Sequence, residues 1–178
     1  EPLGRIGRYL EGLRDLPRDF IAAFGLLNAA RLLRSRGIDV SFDGQALEDA
    51  LRRQRIPGGG FASPGDSEPS AYHTFLAGLC HEILGRTMPE AEAAVRDVER
   101  LEAPDGGYSD RPGGTTAQTN PTAAALGFLS AQGALAPAEA DSAVEFLVRM
   151  QADDGGLRAQ PSAPVGDLLS TFTAMVAL

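Results

Sequence analysis

Gln151-Ala152-Asp153-Asp154-Gly155-Gly156-Leu157, a polar loop, and then Asp167-Leu168-Leu169-Ser170-Thr171-Phe172 form one unit of a sequence pattern that occurs three times. The second copy is Asp105-Gly106-Gly107-Tyr108 followed by Asn120-Pro121-Thr122-Ala123-Ala124-Ala125-Leu126. The first is Gly59-Gly60-Phe61 followed by Ala71-Tyr72-His73-Thr74-Phe75-Leu76. The glycine pairs recur 47 and 49 residues apart, and a threonine follows each at Thr74, Thr122 and Thr171. Self-similarity at such a period is the mark of a repeat architecture.

Working outward, an amphipathic segment precedes each glycine pair. Residues 46–55 carry Leu47 and Leu51 on one face, with Glu48/Arg52 and Asp49/Arg53 four apart on the other. Residues 90–102 turn Val95, Val98 and Leu101 inward, and residues 137–151 carry a stripe of Val144, Leu147 and Met150. The segments behind the glycine pairs, residues 71–84, 121–131 and 168–178, are apolar nearly all round. Such helices are buried on more than one side. Upstream, residues 4–17 place Ile6, Leu10 and Leu13 at helical spacing, and an apolar helix runs over residues 20–36 to a stop at Gly37. Asp19, Ser70, Asn120 and Asp167 stand where side-chain caps are needed, and Pro121 suits a first helical position. The glycines supply the left-handed backbone that reverses the chain. The expected fold is all-α: two concentric layers, an outer amphipathic and an inner apolar one, in an arc of about four helix pairs.

A chain of 178 residues with 43% hydrophobic residues can bury the core of one domain. A net charge of -8 argues against nucleic acid as a partner. Cys80 is the sole cysteine, so neither an internal disulfide nor a multi-cysteine zinc cluster can form. It reads as a buried thiol in a reducing compartment, and cytoplasmic localisation is expected. His81 reads as a surface or packing residue. No apolar run is long enough for a transmembrane segment, and no signal peptide is recognised. Asp105, Asp153 and Asp154 read as shapers of the glycine turns. Arg52, Arg53, Arg55 and Arg100 fall on outer helices and read as solvated or paired charges rather than a diphosphate clamp. The sequence starts at Glu1 and stops at Leu178 inside an apolar helix, so the expectation is a single domain over residues 1–178 that is a fragment of a longer ring.

Outer–inner helix pairs joined by a Gln-x-x-Asp-Gly-Gly turn, best seen at Gln151–Leu157, resemble the prenyltransferase and squalene-cyclase repeat family. The resemblance spans nearly the whole chain. It implies an α/α toroid, a ring of helix pairs around an apolar cavity that takes isoprenoid chains such as geranylgeranyl or farnesyl diphosphate. Gly59-Gly60-Phe61-Ala62 through Tyr72-His73-Thr74 and Ala77-Gly78-Leu79 is most similar to the β-subunit of protein prenyltransferases, the Rab geranylgeranyl type in particular. By that resemblance His73 and Asp19 would be zinc ligands, while Ile21 stands where the family has a cysteine. An α-subunit-like protein partner is implied in the same way. Tyr72, Thr74, Thr122, Thr171 and Phe172 would line the cavity.

Three functions follow from the resemblance. One is prenyl transfer, a zinc-bound thiolate attacking carbon 1 of a prenyl diphosphate. Another is a toroid that binds a lipid or a protein without chemistry, which the substitution at Ile21 favours. The third, a terpene-type cyclase, lacks its Asp-x-Asp-Asp acid and any tryptophan here. A toroid glycosidase would need two opposed carboxylates. A thioester protein would need Glu-Gln close behind a cysteine, where this chain has Cys80-His81-Glu82-Ile83.

Overall fold

The computed structural model describes residues 2–12, 17, 19–57 and 59–178. Among them are eight helices and no strand: α1 (Pro2–Glu11), α2 (Phe20–Arg34), α3 (Gly44–Arg52), α4 (Ala71–Ile83), α5 (Ala91–Glu99), α6 (Thr119–Ala131), α7 (Pro137–Arg149) and α8 (Leu168–Ala177). The even-numbered helices pack in order, α2 on α4, α4 on α6 and α6 on α8. Of the odd-numbered helices, α1 packs on α2, α5 against both α4 and α6, and α7 on α6, as an outer layer. The expected arc of outer and inner helices is the observed fold. Each outer helix returns the chain to the same end, so the inner helices run parallel.

One core joins the layers. Phe20, Leu47, Phe61, Leu76, Val98, Tyr108, Phe128, Phe146 and Leu147 are fully buried or nearly so. Phe20 meets Phe61 edge to face with ring centroids 5.0 Å apart. Burying one such aromatic is worth roughly 1.5–3 kcal/mol. Leu10, Ile38 and Phe42 pack against a smaller cluster of Ala30, Leu33 and Val40 under α1.

The three glycine turns share one hydrogen-bond plan. Arg55 pairs with Phe61, Glu102 with Tyr108, and Gln151 with Leu157 in isolated antiparallel bridges. The bridge residue's carbonyl then accepts from the N–H of the cap residue before the next inner helix: Phe61 from Ser70, Tyr108 from Gln118 and Leu157 from Asp167, each at 3.0 Å. Its N–H goes to the threonine hydroxyl, from Phe61 to Thr74 at 3.1 Å, Tyr108 to Thr122 at 2.9 Å and Leu157 to Thr171 at 2.8 Å. No polar group of the bridge residue's backbone is left unpaired, which is what lets it sit in the core. Gly106 and Gly155 make their turns with φ of 89° and 86°, a left-handed conformation that suits glycine, whereas Gly59 and Gly60, expected to do the same, have no positive φ.

Several expectations are corrected. The helix over residues 46–55 is α3, which starts earlier because Asp43 caps it, accepting from the Gln45 and Ala46 N–H groups. Glu48 is on the buried side: its carboxylate is 2.6 Å from Arg52 and 3.2 Å from Arg86. Asp49 accepts from the Gln45 amide rather than pairing with Arg53. Val144 is exposed, and the buried stripe of α7 runs one step earlier through Ala143, Phe146, Leu147 and Met150. Asn120 is not a cap. α6 begins at Thr119, with Gln118 in the cap position making no side-chain bond. The Thr119 N–H instead donates to Ala159 of the next loop at 2.9 Å, and Pro121 has no N–H to satisfy. Asp19, Ser70 and Asp167 do cap, accepting from the N–H groups of Ala22, His73 and Ser170. Ile6 is half exposed and Leu13 lies outside the described residues.

Candidate functional site

The inner helices enclose an apolar groove of about 640 Å³. Its lining follows the repeat. Tyr72, Phe75, Leu76 and Leu79 come from α4, with Asn120, Ala123, Ala124 and Gly127 from α6 and Leu169, Phe172, Thr173 and Val176 from α8. Each set has helical i, i+3, i+4, i+7 spacing, so each is a single stripe. Counted from the threonine of each repeat, the three stripes occupy the same places. Phe24 of α2 adds a fourth contributor.

The depth of the groove comes from α6. Its stripe carries Ala123, Ala124 and Gly127 where α4 and α8 carry Phe75, Leu76, Leu79, Phe172 and Val176. Small side chains form the floor and large ones the walls. A Cβ on Gly127 would lie 2.8 Å from the Phe75 ring, so the glycine lets that wall close over the floor.

The groove is polar at one end only. Asp110, Gln118 and Asn120 line it beside the N-terminal ends of α4 and α6, while Leu79, Gly127, Val176 and Ala177 line the C-terminal portion. Asp110 is bound to the start of α4: its Oδ1 accepts from the Ser70 hydroxyl at 2.8 Å and from the Tyr72 N–H at 3.2 Å. Its carbonyl accepts from the Ala71 N–H at 3.2 Å. The Ser70 Oγ also lies 3.0 Å from Nδ1 of His73. Ser70 has one proton and gives it to Asp110, so Nδ1 of His73 is the donor to Ser70, leaving Nε2 as the basic nitrogen. Burial holds the imidazole below the usual histidine range, against the opposite pull of Asp110 and Asp19.

The residues singled out from the sequence separate into groups. Tyr72 and Phe172 line the groove. Thr74, Thr122 and Thr171 do not. Thr74 and Thr122 are fully buried, and all three hydroxyls accept the turn N–H described above. Thr122 and Thr171 also donate back to the carbonyls of Gln118 and Asp167, both at 2.7 Å. A hydroxyl that has already given its proton inside the wall has no donor left for the cavity.

Zinc, implied by the resemblance, needs at least three protein ligands as a rule. Asp19 caps α2 through the Ala22 N–H at 2.8 Å, Nδ1 of His73 is engaged by Ser70, and Ile21 is an exposed apolar side chain. Among the described residues no group of three or more His, Cys, Asp or Glu side chains is arranged to hold a metal. The described residues by themselves do not make up a zinc site. Cys80 is buried with its thiol pushed up to about 12 by desolvation, far from the thiolate form.

Phe24, Phe75, Leu79 and Asp110 were not singled out from the sequence. The stripe 72, 75, 76 and 79 is visible in the helical spacing once Tyr72 is placed on it. Asp110 belongs to a loop, where spacing carries no such signal.

No family model matches the sequence, and no curated protein matches it. Among solved structures the chain is similar to Candida albicans protein geranylgeranyltransferase-I complexed with GGPP, with a TM-score of 0.71 and 16% sequence identity. The match covers 89% of this chain and 48% of that chain, so this chain spans about half the length of its structural neighbour. Likeness at that identity establishes the architecture, a prenyltransferase-like α/α toroid.

Proposed function

We propose that this domain binds an isoprenoid chain in the groove between its inner helices. The observation that carries the reading is the groove itself: about 640 Å³, walled by Phe24, Tyr72, Phe75, Leu76, Leu79 and Phe172. That volume is within the range of small-molecule sites, which are mostly apolar with a few placed polar groups. The neighbour of the same fold is complexed with GGPP, which supports an isoprenoid over other hydrocarbons. The groove opens beside Leu169, Phe172, Met175 and Val176, the exposed apolar face of α8, and an α-subunit-like partner or a further helix pair would extend the wall there.

The test is retention. Purified chain is incubated separately with geranylgeraniol and with geranylgeranyl diphosphate, passed through a sizing column, and the co-eluting isoprenoid is measured by mass spectrometry. Retention of either at near one per chain, lost in Gly127→Leu, is the expected result. A leucine there fills the floor beneath Phe75. Retention of neither refutes the reading.

Prenyl transfer is the second reading. It requires a metal, and its test is zinc content with His73→Ala as the control. One zinc per chain, lost in the variant, favours transfer with a ligand from beyond the described residues. No zinc favours binding without zinc-thiolate chemistry. Among the described residues no helix is long and apolar enough to cross a membrane, and a cytoplasmic location belongs to this same proposal.

A further inference from the structure

The polar end of the groove also indicates what head group it takes. Parallel inner helices bring their N-terminal ends to that end, and a helix N-terminus ordinarily attracts an anion through its unpaired N–H groups and its dipole. At the start of α4 those N–H groups are already used. The N–H groups of Ala71 and Tyr72 donate to the carbonyl and the carboxylate of Asp110, at 3.2 Å each. His73 donates its backbone N–H to Ser70 at 3.1 Å. On α6 the Thr119 N–H is taken by Ala159, and Pro121 has none. Asp110 is thus the anion at the start of α4, and it lines the groove at the same time.

The other polar lining groups are neutral. The Asn120 carboxamide oxygen accepts the Thr173 hydroxyl at 2.6 Å, so its NH₂ is the end left to donate. Gln118 is a second carboxamide beside it. Among the described residues no arginine lines the groove, and the neighbouring Arg111 is paired with Asp66 at 2.7 Å. A diphosphate head placed here would bring its charge against a carboxylate with no cation among the described lining residues to offset it. An alcohol head would donate to Asp110, whose Oδ2 makes none of the bonds above, and accept from Asn120.

We infer that the groove selects a linear hydrocarbon with an uncharged hydroxyl head, the class of the long-chain isoprenoid alcohols, and disfavours the corresponding diphosphate. The inference rests on the groove being an isoprenoid site, as proposed above. It is tested on the full chain by titrating geranylgeraniol and geranylgeranyl diphosphate from the same sub-micellar detergent stock, with affinities from calorimetry. The expected result is binding of the alcohol at least ten times tighter than the diphosphate. In Asp110→Asn, which keeps an acceptor oxygen for Ser70 and Tyr72, that ratio falls several-fold as diphosphate binding improves. Diphosphate binding as tight as the alcohol in the natural chain overturns the inference and leaves the groove reading standing. An unchanged ratio in a folded Asp110→Asn overturns the role of Asp110. Binding of neither probe overturns both this inference and the isoprenoid reading.

Discussion

Replacing Thr122 by valine removes one hydroxyl and preserves the shape of the side chain. Thr122 is fully buried, and so, to within 1% exposure, is Tyr108, whose N–H it accepts at 2.9 Å. In Thr122→Val that N–H has no acceptor and no route to water. The Gln118 carbonyl is unaffected in kind, because it keeps the Thr122 backbone N–H at 3.0 Å. The cost is therefore that of one orphaned buried donor, about 1–3 kcal/mol. With a urea slope of about 2 kcal/mol/M, a loss of ~2 kcal/mol moves the unfolding midpoint down by about 1 M at unchanged slope. Thr171 makes the same bond to Leu157 at 2.8 Å but is only half-buried, so water can replace the lost acceptor. Thr171→Val should cost less than ~1 kcal/mol. Urea unfolding followed by circular dichroism measures both. The reasoning fails if Thr122→Val leaves the midpoint where it was, or if the two variants are equally destabilised.

Gly25→Ala should stabilise by about 0.5–1 kcal/mol, because Gly25 is inside α2 and an added Cβ meets nothing within 4 Å. Gly107→Ala should destabilise by roughly 2 kcal/mol or more, since its Cβ would be 2.7 Å from both Ala117 and the Phe146 ring, and thermal unfolding compares the two directly. Asp167→Ala should cost about 1 kcal/mol through loss of the cap on α8. The Asp167 carboxyl is held below its usual 3.8, chiefly by the Ser170 N–H. A depressed folded-state value means that its stabilisation is complete above the unfolded value and is lost as pH falls through the folded one, so the gap between natural chain and variant should close only below about pH 4; a gap that already closes above about pH 5 would contradict this. Cys80, fully buried with its thiol near 12, should resist alkylation at pH 8 in the native protein and react in urea, and rapid labelling of the folded chain would show that the core around α4 opens.

Most of the architecture was legible because turn chemistry and helical periodicity repeat together. The Gly-Gly pairs, the threonines behind them and the caps Asp19, Ser70 and Asp167 are local signals, and they occupy their expected places. The failures have tertiary causes. Asn120 was misread because the loop after the next glycine turn supplies the carbonyl that a cap would otherwise provide. Val144 was misread because α7 offers two adjacent apolar stripes, and the small Ala143 lets the helix seat on the other one. Asp110 was missed because a loop residue's reach to the start of α4 has no counterpart in linear spacing.

The repeat also separates structure from specificity. Where the three units agree, at Thr74, Thr122 and Thr171, the side chain ties a helix to its turn. The positions that face the groove differ between the units: Tyr72, Asn120 and Leu169 share one register position, as do Phe75, Ala123 and Phe172. A position that must close a hydrogen bond in every unit accepts one residue type. A position that faces empty volume is free to take an aromatic, an amide or an alanine, and the choice sets the shape and polarity of what can bind. In this chain the middle unit has small residues at Ala123, Ala124 and Gly127, and the groove lies above them. Divergence along this one stripe therefore sets what the groove can hold, while the shared threonines hold its walls in place.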